Sequence, residues 1–204
     1  MQFHQGRLLD HVHVRVADLE ASKRFYRAVL AAVGRELTRE SEDAFSADEL
    51  YVTADKTPTT GLHIAFQADD RETVERFHGA GLAAGGRDNG APGERPYHPG
   101  YYSAYVLDPD SSSTLVIQGI GWSKVESPTM VAQVFIDHLT LPVRDFEASK
   151  RFYRQALAPF GVEEVEVEVA IGWGPRGARR FLHQARRADR RGAEGRHREA
   201  KLAA

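Results

Sequence analysis

Residues 10–34 read DHVHVRVADLEASKRFYRAVLAAVG, and residues 137–161 read DHLTLPVRDFEASKRFYRQALAPFG. The two stretches lie 127 residues apart and are identical at 15 of 25 positions, including the unbroken run over residues 20–27. Identity of this extent indicates that a structural unit has been duplicated within the chain. The architecture is therefore built from repeats.

A second, weaker repeat lies inside the first part of the chain, at an offset of 52 residues. Aligning residues 11–35 with residues 63–87 gives 11 identities in 25 positions, and one of them pairs His11 with His63. The basic repeat is therefore about 52 residues long.

Each repeat begins with alternating polar and apolar residues, as in residues 11–16, which is typical of a strand with one buried face. An aspartate suited to capping a helix follows, Asp18 in the first repeat and Asp70 in the second, ahead of apolar residues at helical spacing. Gly34 and Gly86 are predicted to end these helices as left-handed C′ residues. Short β-rich stretches come next, so each repeat is predicted to be βαβββ.

A single βαβββ repeat exposes one face of its sheet, so two repeats must pack together to bury a core. We predict an α+β fold in which the repeats at 8–54 and 61–118 form one domain, residues 8–118, with an open, eight-stranded, barrel-like sheet. Residues 119–133 are predicted to be a linker. A third repeat, part of a second domain, is expected over residues 134–171.

Residues 172–204 are predicted to form a basic tail that is disordered or a degenerate fourth repeat. From Arg176 onward ten Lys or Arg face three Asp or Glu, so this segment carries +7 within a chain of net charge -2. Such a charge can attract nucleic acid or membrane surfaces. Because the tail lacks interleaved aromatic residues and a periodic apolar face, we expect neither partner.

Composition excludes several classes of protein. The chain has no cysteine, which excludes disulfides, thiolate metal sites and a cysteine nucleophile. It has no apolar run of about 18 residues, which argues against a membrane-spanning helix. The first residues lack the apolar core of a signal peptide, so we expect a cytoplasmic protein.

Several motifs together resemble the vicinal oxygen chelate superfamily, which contains glyoxalase I, bleomycin-resistance proteins and extradiol dioxygenases. The motifs are the Asp-His pair at 10–11, the run DLEASKRFY at 18–26, the strand LHIAF at 62–66 and the segment VLDPD at 106–110. The resemblance covers residues 8–118 as a full domain and 136–171 as part of a second. It implies a protein that binds a small oxygenated organic molecule.

Metal-using members of this superfamily hold a divalent ion with His or Gln from the first strand of each paired repeat and Glu from the last. The resemblance therefore implies that His11, His63 and Glu49 bind Zn, Ni, Fe or Mn. The second usual Glu position falls on Leu115, which cannot bind a metal. The resemblance leaves two functions open: a metal-dependent lyase or dioxygenase, and a metal-free protein that sequesters an antibiotic.

Further residues are expected to line the ligand pocket. Alternation places His11, His13 and Arg15 on one face of the first strand, and His63 and Gln67 on one face of the fifth. The resemblance to glyoxalase I implies that Arg15 binds a substrate carboxylate, a role that its planar guanidinium fits. The alternative for Arg15 is an ion pair on a solvent-facing strand.

The loop at residues 95–102 concentrates tyrosines and a histidine. We expect Tyr97 and Tyr101 to form an aromatic wall for the ligand, with His98 as a candidate general base. The alternative is that these rings cap the core.

The third repeat carries a histidine, His138, at the position equivalent to His11, but Pro142 stands where the first repeat has Arg15. The repeat that would provide a second histidine for it is missing, so we predict no site there within one chain. Its unpaired edge favours pairing with a second protomer, and a homodimer is therefore expected.

Overall fold

The structure, a computed structural model, describes residues 9–96, 100–110, 113–119, 136–167, 170–175 and 182–186. The chain divides into two compact units, residues 1–139 and residues 140–204. The first compact unit contains the first two repeats and the start of the third.

The first repeat forms a four-stranded sheet with one helix. Its elements are β1 (Val12–Val16), α1 (Leu19–Ala32), β2 (Arg39–Glu40), β3 (Ala44–Ala47) and β4 (Leu50–Ala54). The strand order is β1-β4-β3-β2, and β1 runs parallel to β4. Residues along β1 alternate between buried valines and exposed polar residues, so the predicted alternation at His13 and Arg15 is confirmed.

The second repeat has the same order of elements. They are β5 (Leu62–Ala68), α2 (Arg71–Ala83), β6 (Arg87–Glu94), β7 (Tyr102–Leu107) and β8 (Ser113–Gly119). Strand β5 runs parallel to β8, and β7 runs antiparallel to both β8 and β6. The structure thus has the βαβββ order that the sequence predicts for both repeats.

The helix ends agree with the prediction at most positions. Asp18 and Asp70 cap their helices by accepting hydrogen bonds from the backbone N–H groups of Ala21 and Thr73, at 2.9 and 2.7 Å. Gly34 is in the left-handed region, with φ +68°. The prediction for Gly86 is wrong, because Gly85 is the left-handed residue after α2, with φ +97°.

The pairing of the repeats differs from the expectation. Helices α1 and α2 pack against each other, but β1 and β5 belong to different sheets. The eight-stranded sheet expected from the first two repeats is therefore not confirmed, although the α+β class with mixed sheets is. On the side away from β8, β5 instead neighbours β9 (Ile136–Val143), the first strand of the third repeat. Ile136 and Leu139 are both buried.

The second compact unit holds the remainder of the third repeat. Its elements are α3 (Phe146–Leu157), a 3-10 turn (Ala158–Phe160), β10 (Val162–Val167), β11 (Ala170–Pro175) and β12 (Leu182–Arg186). Strands β10, β11 and β12 form an antiparallel series. β12 lies within the segment predicted to be a tail, most of which is outside the described residues, as is most of the predicted linker. No helix in the described part of the chain is long and apolar enough to cross a membrane.

Candidate functional site

Polar side chains lie on two different sheets of the first compact unit. One group, on β1 and the residue before it, contains His11, His13 and Arg15. The other, on the sheet that contains β5, includes His63 and Gln67. The residues predicted to line one pocket therefore lie on two sheets, one containing β1 and the other containing β5.

The group on the β1 sheet is solvent-exposed. His13 shares a 2.8 Å hydrogen bond with the Thr53 hydroxyl, and its ring centre lies 5.1 Å from that of Tyr51. The Arg15 guanidinium lies 3.9 Å from the Asp55 carboxylate. This contact is the surface ion pair that the sequence left open as the alternative role of Arg15.

The group near β5 is more enclosed and includes a histidine pair. The ring centres of His63 and His138 are 5.4 Å apart, and the ring planes lie within 21° of parallel. Nδ1 of His138 lies 2.7 Å from Oδ2 of Asp137, and each of these side chains is 14% exposed. The amide of Gln67 donates to Oδ1 of Asp137 at 2.8 Å. Gln67, Asp137 and His138 thus form a connected chain beside His63.

The expectation that His138 meets no second histidine within this chain is wrong. β9 is the neighbour of β5, and the histidine of the second repeat thereby contacts that of the third. The sequence contained one signal for this site, the Asp-His pair repeated at 10–11 and 137–138. His11 makes the equivalent contact, with Nδ1 2.8 Å from Oδ2 of Asp10, but the His11 side chain is 60% exposed.

Two residues that the sequence reasoning missed extend the histidine pair. The ring of Tyr105 on β7 contacts that of His63 edge-on, with centres 6.3 Å apart. The Arg95 guanidinium lies 5.3 Å from the centre of the Tyr105 ring and also donates to the Ala91 carbonyl oxygen at 2.5 Å. Only the register of β5, β8 and β7 reveals that Tyr105 lies near His63.

The strand register also shows which face of the sheet Leu115 occupies. Leu115 pairs with Ile64, and both side chains are fully buried in the core. Residues paired across two strands share a face of the sheet, so Leu115 lies on the face opposite His63. The residue in register with His63 is Thr114. A leucine at 115 therefore replaces no ligand on the face of His63.

The predicted third ligand, Glu49, lies in the turn between β3 and β4. It is buried, and its backbone oxygen accepts a hydrogen bond from the N–H of Val12 at 2.7 Å. Among the residues that the structure describes, no group of three or more His, Asp or Glu side chains is arranged to hold a metal. The set of His11, His63 and Glu49 stays a prediction from the resemblance.

The aromatic loop is only partly described. Tyr97 and His98 lie outside the described residues, and the Tyr101 carbonyl oxygen accepts a hydrogen bond from the N–H of Arg95. The neighbouring Tyr102 hydroxyl donates to Glu75 of α2 at 3.0 Å. Loss of hydration and this carboxylate raise the pKa of Tyr102. Tyr102 therefore connects the start of β7 to α2.

The spacing of the histidine pair is compatible with a shared metal ion. With a metal–nitrogen distance of about 2.1 Å, a ring centre lies about 3.2 Å from its ion, so centres 5.4 Å apart correspond to a roughly tetrahedral angle. Nδ1 of His138 contacts the Asp137 carboxylate, and a carboxylate on one ring nitrogen is common in metal-binding histidines. The distance between the two ring centres is therefore compatible with two imidazole ligands on one ion.

Comparisons with known proteins agree with this fold. Residues 8–112, just over half of the chain, match the model of the Glyoxalase/Bleomycin resistance protein/Dioxygenase superfamily. A solved glyoxalase/bleomycin resistance protein from Albidiferax ferrireducens is 29% identical, with 56% of this chain and 99% of that chain covered and a TM-score of 0.49. A search of curated proteins finds no match.

A longer likeness extends beyond the first compact unit. A mutant glyoxalase I from Zea mays is 19% identical, with 87% of this chain and 68% of that chain covered and a TM-score of 0.60. At this identity the likeness shows the fold alone. The family match over residues 8–112 confirms the resemblance, and the chain belongs to the glyoxalase/bleomycin resistance protein/dioxygenase superfamily.

Proposed function

We propose that the protein is a metal-dependent enzyme of the lyase or dioxygenase class that acts on a small oxygenated organic molecule. The observation that carries the proposal is the pair of His63 and His138, with ring centres 5.4 Å apart. We assign His138, in place of the predicted His11, as the second imidazole ligand beside His63.

The surrounding side chains position this pair. Asp137 holds the His138 ring through Nδ1, and Gln67 holds Asp137 in turn. Such a hydrogen-bonded carboxylate fixes the ring orientation and raises the basicity of the other nitrogen. Two neutral imidazoles leave coordination positions open to adjacent substrate oxygens, where a bound divalent ion would polarise a carbonyl or enolate.

Tyr105 and Arg95 provide the remaining part of the proposed site. The Tyr105 ring offers an apolar surface beside His63, and the Arg95 guanidinium brings a positive charge next to that ring. The backbone carbonyl of Ala91 holds the guanidinium in place. We infer that these two side chains bind a planar, anionic part of the substrate.

Metal binding by single variants tests the proposal. Calorimetric titration of metal-free protein with Zn²⁺, Ni²⁺, Mn²⁺ or Fe²⁺ is expected to show binding. Replacing one of two imidazole ligands should weaken that binding at least tenfold, so we expect this loss in His63→Ala and in His138→Ala. His11→Ala is the matched control, since His11 makes the same contact with a preceding aspartate on the other sheet.

Two results would contradict the proposal. The protein could bind none of these metals, or His11→Ala could lose the metal while His138→Ala keeps it. The second result would favour the predicted set of His11, His63 and Glu49 instead.

A second candidate function is metal-free binding and sequestration of a flat aromatic molecule. It is favoured by the arrangement of His63, His138, Tyr105 and Arg95, which places three rings and a guanidinium side by side. Fluorescence titration with planar aromatic antibiotics, with and without a chelator, separates the two functions. Tight binding that the chelator leaves unchanged, together with no metal uptake, would establish the second function over the first.

A further inference from the structure

A buried histidine outside the proposed site links helix α2 to strand β6. Nε2 of His78 lies 2.9 Å from Oδ1 of Asp88, and the His78 side chain is 10% exposed. The hydrogen bond with His78, followed by one from the Gly90 N–H, lowers the pKa of the Asp88 carboxyl group. An ionised carboxylate can only accept, so His78 donates through Nε2. The pair is therefore a charge-assisted link between the helix and the strand.

Asp88 also holds an irregular stretch of β6. Its Oδ1 accepts a hydrogen bond from the Gly90 N–H at 3.1 Å. The register of β6 against β7 shifts on both sides of Gly90, which has φ +149°, a conformation that favours glycine. Bulges of this kind re-aim the side chains around them. His78 and Asp88 thus fix β6 where it departs from regular pairing.

The bulge at Gly90 lies against the two residues that extend the histidine pair. A Cβ atom on Gly90 would lie 2.9 Å from the Tyr105 ring and 3.6 Å from a terminal nitrogen of the Arg95 guanidinium. Arg95 donates to the carbonyl oxygen of Ala91 at 2.5 Å and to that of Ser103 at 3.3 Å. Its Nε atom is buried. The backbone at Gly90 and Ala91 therefore determines where the guanidinium lies.

We propose that His78 and Asp88 are positioning residues for the anion-binding part of the proposed site. They act through the bulge at Gly90, which keeps the Arg95 guanidinium 5.3 Å from the centre of the Tyr105 ring. This role rests on the proposed function, in which Arg95 and Tyr105 bind the planar, anionic part of the substrate. His78 and Asp88 do not touch that substrate, but its binding depends on them.

Hydrogen exchange followed by NMR tests the positioning without any ligand. In His78→Leu and Asp88→Ala, we expect the Gly90 N–H and the Arg95 Nε–H to exchange about tenfold faster, because each variant removes a hydrogen bond that holds the bulge. His78→Gln keeps a side-chain N–H that can donate to Asp88, so it should retain slow exchange. Asp69→Ala, which changes an exposed aspartate ahead of α2, is the matched control and should exchange like the unmodified chain.

Three results of this experiment would overturn the proposal. Exchange could stay slow in His78→Leu, or it could be equally fast in His78→Gln and His78→Leu. The backbone amides of β4 could also accelerate as much as the Gly90 N–H, which would show general destabilisation and no specific positioning.

Binding of 1-naphthoate, a fluorescent planar carboxylate, tests the consequence for the site. We expect His78→Leu to raise its dissociation constant about fivefold and His78→Gln to change it by less than about twofold, with Zn²⁺ binding unchanged in both. In an Arg95→Ala background, His78→Leu should add no further loss, because the positioned group is gone. An equal loss in both backgrounds would contradict the positioning role. If the unmodified chain does not bind 1-naphthoate, the proposed role of Arg95 fails, and the exchange rates still decide whether His78 and Asp88 position its side chain.

Discussion

At the scale of single residues, Gly86, between α2 and β6, is closely surrounded by other atoms. A Cβ atom on Gly86 would lie 2.6 Å from the Phe25 ring, 2.7 Å from a Val106 methyl group and 2.8 Å from the Gly81 carbonyl oxygen. Glycine suits position 86 because there is no room for a Cβ atom, and not because of the backbone conformation. The prediction singled out Gly86 correctly, but it assigned the glycine to a left-handed conformation that Gly85 adopts instead.

We expect Gly86→Ala to destabilise the protein by about 1–3 kcal/mol, because the buried neighbours must shift to admit a methyl group. Gly79→Ala is the matched control within α2, where a Cβ atom would meet nothing within 4 Å. Alanine favours a helix interior, so this variant should gain about 0.5–1 kcal/mol. Urea unfolding of both variants measures the difference, and equal midpoints would show that the packing at Gly86 is loose.

At the scale of elements, the helix caps are where local sequence and structure agree best. Asp18, Asp70 and Asp145 each precede a helix and accept a hydrogen bond from a backbone N–H three residues later. A cap is predictable because it depends on residues within one turn. For Asp70, hydrogen bonds from the side chain and backbone of Thr73 lower the pKa of the carboxyl group.

The cap of α2 should therefore make stability depend on pH. Because the pKa of Asp70 is lower in the folded state than its usual 3.8, its contribution is complete above that value and is lost as the pH falls through the folded pKa. Serine caps the helix without titrating in this range. We expect Asp70→Ser to lose less stability than the unchanged protein between pH 5 and pH 3, as measured by urea unfolding. Parallel curves for the two proteins would contradict this.

Also at the element scale, α1 and α3 show that the same pattern can have two outcomes. Both carry the sequence EASKRFYR. Phe25 is fully buried, whereas Phe152 is 63% exposed. Periodicity predicts which face of a helix is apolar, but burial depends on whether another element covers that face.

At the scale of the whole molecule, the position of β9 determines the candidate site. Ile136 and Leu139 of β9 are buried within the first compact unit, where β9 neighbours β5. Without β9, the edge of β5 would present unpaired backbone groups. The first compact unit therefore includes the start of the third repeat as well as the first two repeats.

We expect a chain that ends after residue 119 to have a lower thermal midpoint than one that ends after residue 143, and to self-associate more strongly. The shorter chain loses β9 and exposes the edge of β5. The longer chain keeps β9, which covers that edge. Differential scanning calorimetry and light scattering measure the two effects. Identical midpoints and monomeric behaviour in both chains would show that β9 does not stabilise the first unit.

The sequence by itself determined the repeat, the βαβββ order, the caps, the alternation on β1 and the family. Each of these depends on neighbours along the chain or on direct comparison of its segments. Only the tertiary structure decided that His63 meets His138, that Tyr105 and Arg95 extend this pair, and that Leu115 faces the core. The first strands of the three repeats have similar patterns, so their sequences cannot specify which edges pair. That choice is made by long-range hydrogen bonding and by the burial of Ile136 and Leu139.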